Sequence, residues 1–320
     1  MLNKITSLAM LLAVAVSPLF AQNRTYTLDD INIRDPFILP YEGKYYMYGS
    51  RVCVTPEYPQ HWGKQHGFDV YTSTDLVNWS APKSIFERQD GFWGEEEFWA
   101  PEVHRFNGKF YLFATFHAKD KCRGTHILVS DRPDGTFVPV SPEPATPADW
   151  ECLDGTLYVD KKGTPYIVFC HEWLQIGNGT VCQRQLSPDL STPVSEPVLL
   201  WSASDYKDVA SVKKDRLAYV TDGPFLHRWE DGTLLCIWSS FDKNGYVELI
   251  SKSDNGEIDG TWRVLETPLS AENGGHGMLF RDFEGKLRFT MHKPNKTTFE
   301  RPVILPVTET GHTLTLTEKA

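Results

Sequence analysis

From residue 33 onwards the chain is built of short apolar runs and alternations, cut every few residues by Gly, Asp or Asn, and helical spacing of apolar positions is scarce. That pattern predicts an all-β protein. The first run, Ile33-Arg34-Asp35-Pro36-Phe37-Ile38, leads through a turn at Glu42-Gly43 into an aromatic strand, Tyr45 to Tyr48. A proline disfavours the helical region for the residue before it, so Asp35 is expected in extended backbone, its carboxylate held at a fixed point. The theme returns four times. Trp99-Ala100-Pro101-Glu102 leads to Asn107-Gly108 and the strand Phe110 to Phe113, and Leu153-Asp154-Gly155 to Lys162-Gly163 and Tyr166 to Phe169. Asp222-Gly223-Pro224 leads to Asp231-Gly232 and Leu234 to Trp238, and Gly275-His276-Gly277 to Glu284-Gly285 and Leu287 to Met291.

One polar residue opens each unit: Asp35, Glu102, Asp154, Asp222 and His276, at intervals of 67, 52, 68 and 54 residues. Repeats of that size made of four strands predict a five-bladed β-propeller, with residues 22–320 as one domain. Two stacked sandwiches would need a linker or a break in composition, and the sequence has neither. In a propeller the first strands surround the axis, so the five polar residues should converge at one end of the channel. Crowded carboxyls raise the pKa of at least one of their number. Glycoside hydrolysis needs that split, one protonated carboxylic acid and one carboxylate.

Composition narrows the partners. A net charge of -10 argues against nucleic acid or an anionic membrane surface and leaves an uncharged oligosaccharide or polysaccharide open. Lys4, the apolar stretch Ile5 to Val16 and Pro18-Leu19-Phe20-Ala21 read as a secretory signal cleaved after Ala21, too short for a membrane span. Export to the periplasm or the extracellular space is expected, and no later segment predicts a membrane span. Cys53, Cys122, Cys152, Cys170, Cys182 and Cys236 are irregularly spaced without a CxxC, so bridges and buried thiols both stay open. Oligomeric state is not legible.

The ordered set Arg34-Asp35-Pro36, Trp99-Ala100-Pro101-Glu102, Asp154 ahead of Tyr158-Val159-Asp160, and Gly275-His276-Gly277 resembles glycoside hydrolase family 43 across essentially the whole mature chain. The resemblance implies a five-bladed propeller and inverting hydrolysis of arabinofuranosyl, arabinan or xylosyl linkages. It implies Asp35 as the general base, Asp154 as the residue that orients the acid and tunes its pKa, and His276 at a central water or cation site. A structural Ca²⁺ or Na⁺ near His276 is one expectation and a hydrogen-bonded core histidine the other; the chemistry itself needs no cofactor.

The family's general acid is usually a glutamate before Gly-Pro or Ala-Pro, whereas this chain has Thr221-Asp222-Gly223-Pro224, one methylene shorter. Asp222 and Glu172, in Cys170-His171-Glu172-Trp173, are therefore both candidate acids. Trp99, Glu102, His171 and Arg34 are expected to contact substrate. Trp62 and Trp93 are possible stacking walls, Trp79 and Trp262 structural, and Glu95-Glu96-Glu97 a solvated loop face. The loops at 56–67 and 91–98 are expected to set the sugar and the exo or endo mode. An α-L-arabinofuranoside leads, with β-xyloside and β-D-galactofuranoside specificities open. Two rivals remain: a propeller that binds sugar without cleaving it, and a retaining family 32 fructosidase suggested by Glu151-Cys152. That group's Asn-Asp-Pro-Asn opening is absent here, as is room for its C-terminal sandwich.

Overall fold

The computed structural model describes residues 25–52, 66–310 and 313–317. The signal segment, Cys53, Trp62 and most of the 56–67 loop lie outside these residues. Five antiparallel four-stranded sheets follow one another as the blades of a propeller. Blade one holds β1 (Ile33–Tyr41), β2 (Lys44–Arg51), β3 (Gly67–Ser73) and β4 (Lys83–Glu87); blade two holds β5 (Glu96–Phe106), β6 (Lys109–Ala118), β7 (Lys121–Ser130) and β8 (Val138–Pro139). Blade three is β9 (Cys152–Val159), β10 (Pro165–His171), β11 (Thr180–Gln185) and β12 (Val198–Ser202), with a one-turn helix α1 (Trp173–Ile176) after β10. Blade four is β13 (Asp222–Arg228), β14 (Leu234–Asp242), β15 (Gly245–Ser253) and β16 (Trp262–Val264). Blade five is β17 (Gly275–Arg281), β18 (Leu287–Lys293), β19 (Arg301–Thr310) and β20 (Thr313–Leu316). The segment Pro302 to Val307 lies within β19, the third strand of its blade. Outer strands are short and half exposed, so they carry little apolar periodicity.

Glu42-Gly43 and Asn107-Gly108 have positive φ at both residues (46° and 75°, 47° and 81°), the backbone that matches the twist of a two-residue hairpin. The apolar faces pack between neighbouring blades. Phe68, Phe86, Phe98 and Phe116 interlock between blades one and two, and Trp201, Trp238 and Trp262 between blades three and four. Leu235, Ile237, Phe289 and Met291 fill the gap between blades four and five. Burying each such side chain contributes roughly 1.5–3 kcal/mol. Blade five closes on blade one through Arg34 Nη1 and Glu300 Oε1 at 2.9 Å, and through Asn32, which donates to the Glu300 carbonyl at 2.6 Å. Cys122, Cys152, Cys170, Cys182 and Cys236 are free thiols. Among the described residues no helix is long and apolar enough to cross a membrane.

Every opening strand carries the same irregularity. Between Arg34 and Phe37, Trp99 and Glu102, Leu153 and Thr156, Asp222 and Phe225, and Gly275 and Met278, two residues face one on the neighbouring strand. The first residue of each bulge, Asp35, Ala100, Asp154, Gly223 or His276, is left-handed, with φ between 46° and 56°. The second is Pro36, Pro101, Gly155, Pro224 or Gly277. A bulge accepts proline because its extra residue is unpaired in the ladder, and left-handed backbone held at a functional site is strain that the surroundings must enforce. Asp35 is therefore not extended, as the Asp-Pro step suggested, but turned by the bulge. The register also corrects the equivalences: the counterpart of Asp35 is Ala100 in blade two and Gly223 in blade four, not Glu102 and Asp222. Gly223 has no room for a side chain, since a Cβ there would meet the His276 ring at 2.6 Å.

Candidate active site

The five bulges aim their residues at one mouth of the channel, where a cavity of about 360 Å³ is lined by Arg34, Asp35, Trp99, Asp154, Asp222 and His276 among others. Arg34, Trp99, Leu153 and Asp222 share the position just before the bulge, and all four line it. The bulge turns the backbone, so two successive residues both present side chains there where a regular strand would send one away.

Asp35 is buried and surrounded by donors. Ser50 Oγ–H donates to its Oδ2 at 2.6 Å, and His276 Nδ1 lies 3.2 Å from its Oδ1. Its own N–H donates to His292 Nδ1 at 3.2 Å. Burial acts to raise the carboxyl's pKa, but His276, Arg34 and the Ser50 bond together hold it below the usual aspartate value. Asp154 has the same backbone and the opposite character. Burial raises its pKa to about 7, with Asp222 and Asp35 adding to the rise against the pull of His276. Its Oδ2 accepts the Gly223 N–H at 3.1 Å and lies 3.7 Å from His276 Nδ1.

Asp222 accepts from the Tyr246 hydroxyl at 2.8 Å; burial raises its pKa against the influence of His276 and Tyr246. Glu172, at the entry of α1, forms an ion pair with Arg123, whose other nitrogens hold Glu97 at 2.6 and 2.7 Å. Burial nevertheless pushes Glu172 up to about 8 against the pull of Arg123, with Asp222 and Asp154 adding to the rise. The Arg123 guanidinium lies over the Trp99 ring, 4.9 Å from its centre.

Two expected substrate contacts stand elsewhere. Glu102, two residues beyond Ala100, is turned into the channel and bonds His104 Nε2 at 2.9 Å, outside the cavity lining. His171 stacks on Trp150 (4.2 Å between centres, 13° between planes) and bonds Gln175 at 2.7 Å. Trp93 turns away too, donating to His126 Nδ1 at 2.9 Å. Glu97 is not a solvated loop acid, because Arg123 holds it.

His276 faces the carboxylates of Asp35 and Asp154. Burial lowers its pKa, but Asp35, Asp154 and Asp222 raise it more, to about 9, so at neutral pH the imidazolium itself is the local cation. Among the described residues no three His, Cys, Asp or Glu side chains group as metal ligands. Sequence reasoning missed Arg123, Tyr246, His292 and Glu248. The last is fully buried, accepts from Ser239 Oγ–H at 2.6 Å and has its pKa raised by burial to about 7. All four lie on second or third strands, where sequence shows only β alternation.

A family model for glycosyl hydrolases family 43 matches residues 30–313. The chain belongs to that family. A solved endo-arabinase from Bacteroides thetaiotaomicron VPI-5482 is 37% identical, with a TM-score of 0.82 over 90% of this chain and 98% of that one. Xylosidase/arabinosidase 43A of Humicola insolens is 27% identical over 152 residues, 46% of each chain. Extracellular endo-α-(1→5)-L-arabinanase 1 of Bacillus subtilis (strain 168) is 24% identical over 154 residues, 44% of each. The matched stretch thus spans less than half the length of these curated relatives. Across family 43 members of such modest identity the fold is shared, while the residues facing the sugar must be read from this chain.

Proposed function

We propose that this family 43 protein is an exported glycosidase that hydrolyses α-L-arabinofuranosyl linkages of arabinan-type polysaccharides by a single inverting displacement. One observation carries the reading: four carboxyls share one cavity, and Asp35 alone is held below its ordinary pKa while Asp154, Asp222 and Glu172 are pushed above theirs. Opposed shifts in one site mark base and acid.

Asp35, ionised and aligned by Ser50 and His276, takes the proton of the water that attacks the anomeric carbon. Asp222 delivers a proton to the departing oxygen, and Asp154, bonded to the next residue's N–H, orients it. An inverting pair needs room for that water, with carboxyls roughly 6.5–9.5 Å apart. Glu172 is the second candidate acid, because it reaches the same cavity with its carboxyl held near 8. The arabinan assignment is supported by the 37% identical endo-arabinase and the xylosidase/arabinosidase relative. Export is supported by the apolar N-terminal segment.

The test is hydrolysis of 4-nitrophenyl α-L-arabinofuranoside and of arabino-oligosaccharides, with the β-D-xyloside and β-D-galactofuranoside alongside. A missing acid matters less when the leaving group is a good one. The true acid variant, Asp222→Asn or Glu172→Gln, should therefore keep much of its aryl glycoside activity and lose the oligosaccharide activity. Binding of arabino-oligosaccharides without turnover of any substrate would replace the enzyme by a sugar-binding propeller.

A further inference from the structure

Opposite each bulge, on the second strand of the blade, one side chain occupies the same register position: Ser50, Thr115, Cys170, Ser239 and His292 pair with Arg34, Trp99, Leu153, Asp222 and Gly275. The bulged N–H of the following blade points at that side chain. Ala100 N–H donates to Ser50 Oγ at 2.7 Å, Asp154 N–H to Thr115 Oγ1 at 2.8 Å, His276 N–H to Ser239 Oγ at 2.7 Å and Asp35 N–H to His292 Nδ1 at 3.2 Å. Four of five steps around the axis are made this way. At the fifth the side chain is Cys170, whose thiol is a weak acceptor. There the Gly223 N–H donates instead to Asp154 Oδ2 at 3.1 Å.

We propose that Ser50, Thr115, Ser239 and His292 are positioning residues that lock the left-handed openings of the blades into the reactive arrangement, and that the gap at Cys170 reserves the Gly223 N–H for the Asp154 carboxylate. Three physical points support this. Left-handed non-glycine backbone persists only where surrounding bonds enforce it. A buried N–H released by a bulge must find an acceptor, and here that acceptor comes from the next blade. Two of the hydroxyls also bond onwards to a carboxylate, Ser50 to Asp35 at 2.6 Å and Ser239 to Glu248 at 2.6 Å, so backbone and carboxyl are set by one group. The His292 arrangement requires Nδ1 as acceptor, hence a neutral ring with its proton on Nε2, which faces Asn295 Oδ1 at 3.3 Å.

The proposal rests on Asp35 and Asp154 belonging to the reacting machinery, so its test has a kinetic arm and an arm independent of activity. Thr115→Val keeps the shape and removes the acceptor. It should lower kcat about tenfold with KM little changed, and Thr115→Ser should restore it, since orphaning a buried donor is costly while an alternative hydroxyl satisfies it. Cys170→Ser supplies the missing acceptor and should lower kcat several-fold, whereas Cys170→Ala should match the wild type. In hydrogen exchange followed by mass spectrometry, Thr115→Val should speed exchange in the peptide around Asp154 about tenfold and leave β19 unchanged. Equal kinetics for Cys170→Ser and Cys170→Ala, no rescue by Thr115→Ser, or unchanged exchange near Asp154 would each overturn the ring. If the wild type cleaves none of the glycosides, the substrate reading fails and the exchange arm still decides the ring.

Discussion

Asp35 and Asp154 occupy the same bulge position with nearly the same φ, 55° and 56°, yet one is held ionised and the other is held close to protonated. The backbone does not make the difference. The residue before Asp35 is Arg34, a cation on the cavity wall; the residue before Asp154 is Leu153. Ser50 Oγ–H donates a hydrogen bond to Asp35, whereas the register counterpart in blade three, Cys170, donates none to Asp154. Asp154 also stands close to two other acids that resist ionisation beside it, Asp222 and Glu172. A propeller repeats the geometry, and the neighbours contributed by each blade divide the chemistry.

The comparison breaks most severely at the base. Asp35→Asn should lower kcat/KM by roughly 10²–10⁴-fold on every substrate, aryl or natural, because a base is needed whatever the leaving group. Asp154→Asn should cost less and should affect natural linkages more than aryl ones. Equal losses on both substrate types in both variants would remove the division of labour.

Arg34→Met tests the neighbour that separates the two aspartates. Without the guanidinium the Asp35 pKa rises, so the acidic limb of the kcat/KM profile should move to higher pH. The same change leaves Glu300 buried without its ion-pair partner, a loss of about 3–5 kcal/mol read as a lowered Tm. Adding Glu300→Gln should recover much of the Tm but not the acidic limb. If both recover together, Arg34 acts on stability alone.

Glu172→Gln sharpens the acid side. With its carboxyl near 8, Glu172 as the acid would put the alkaline limb of kcat/KM near pH 8, and the glutamine variant would lose the natural-linkage activity that this limb reports. An unchanged limb with strong loss in Asp222→Asn assigns the proton to Asp222.

The smallest expected effect is on stability against pH. His276 is raised from 6.5 to about 9 and Glu172 from 4.5 to about 8, so in those windows the folded state binds more protons than the unfolded chain. Their contributions are complete below 6.5 and 4.5 and are lost as pH climbs through 9 and 8. Tm should therefore fall between pH 6.5 and 9, and less steeply in Glu172→Gln. Asp35, shifted downwards, works the other way and loses its contribution only in acid. A Tm flat to pH 9 would contradict the charge on His276.

The sequence by itself determined the strand type, the five-fold repeat, the tight hairpins and the family, because period-two alternation, Gly turns and the Asp-Pro, Ala-Pro, Asp-Gly, Gly-Pro and His-Gly steps are local signals. It also brought Asp35, Asp154, Asp222, Glu172 and His276 forward as a set. Tertiary structure decided what surrounds each. Glu102 stands two residues after its blade's counterpart of Asp35 and Asp222 one residue before it, and only pairing with the next strand reveals where each bulge falls. Arg123, His292 and Tyr246 act on the cavity from inner positions of second and third strands, far along the chain from the acids they touch. Charge on a carboxyl is set by everything within a few ångströms, and in a propeller those neighbours come from different blades. That is why the residues could be read from the chain and the surroundings that set their charge could not.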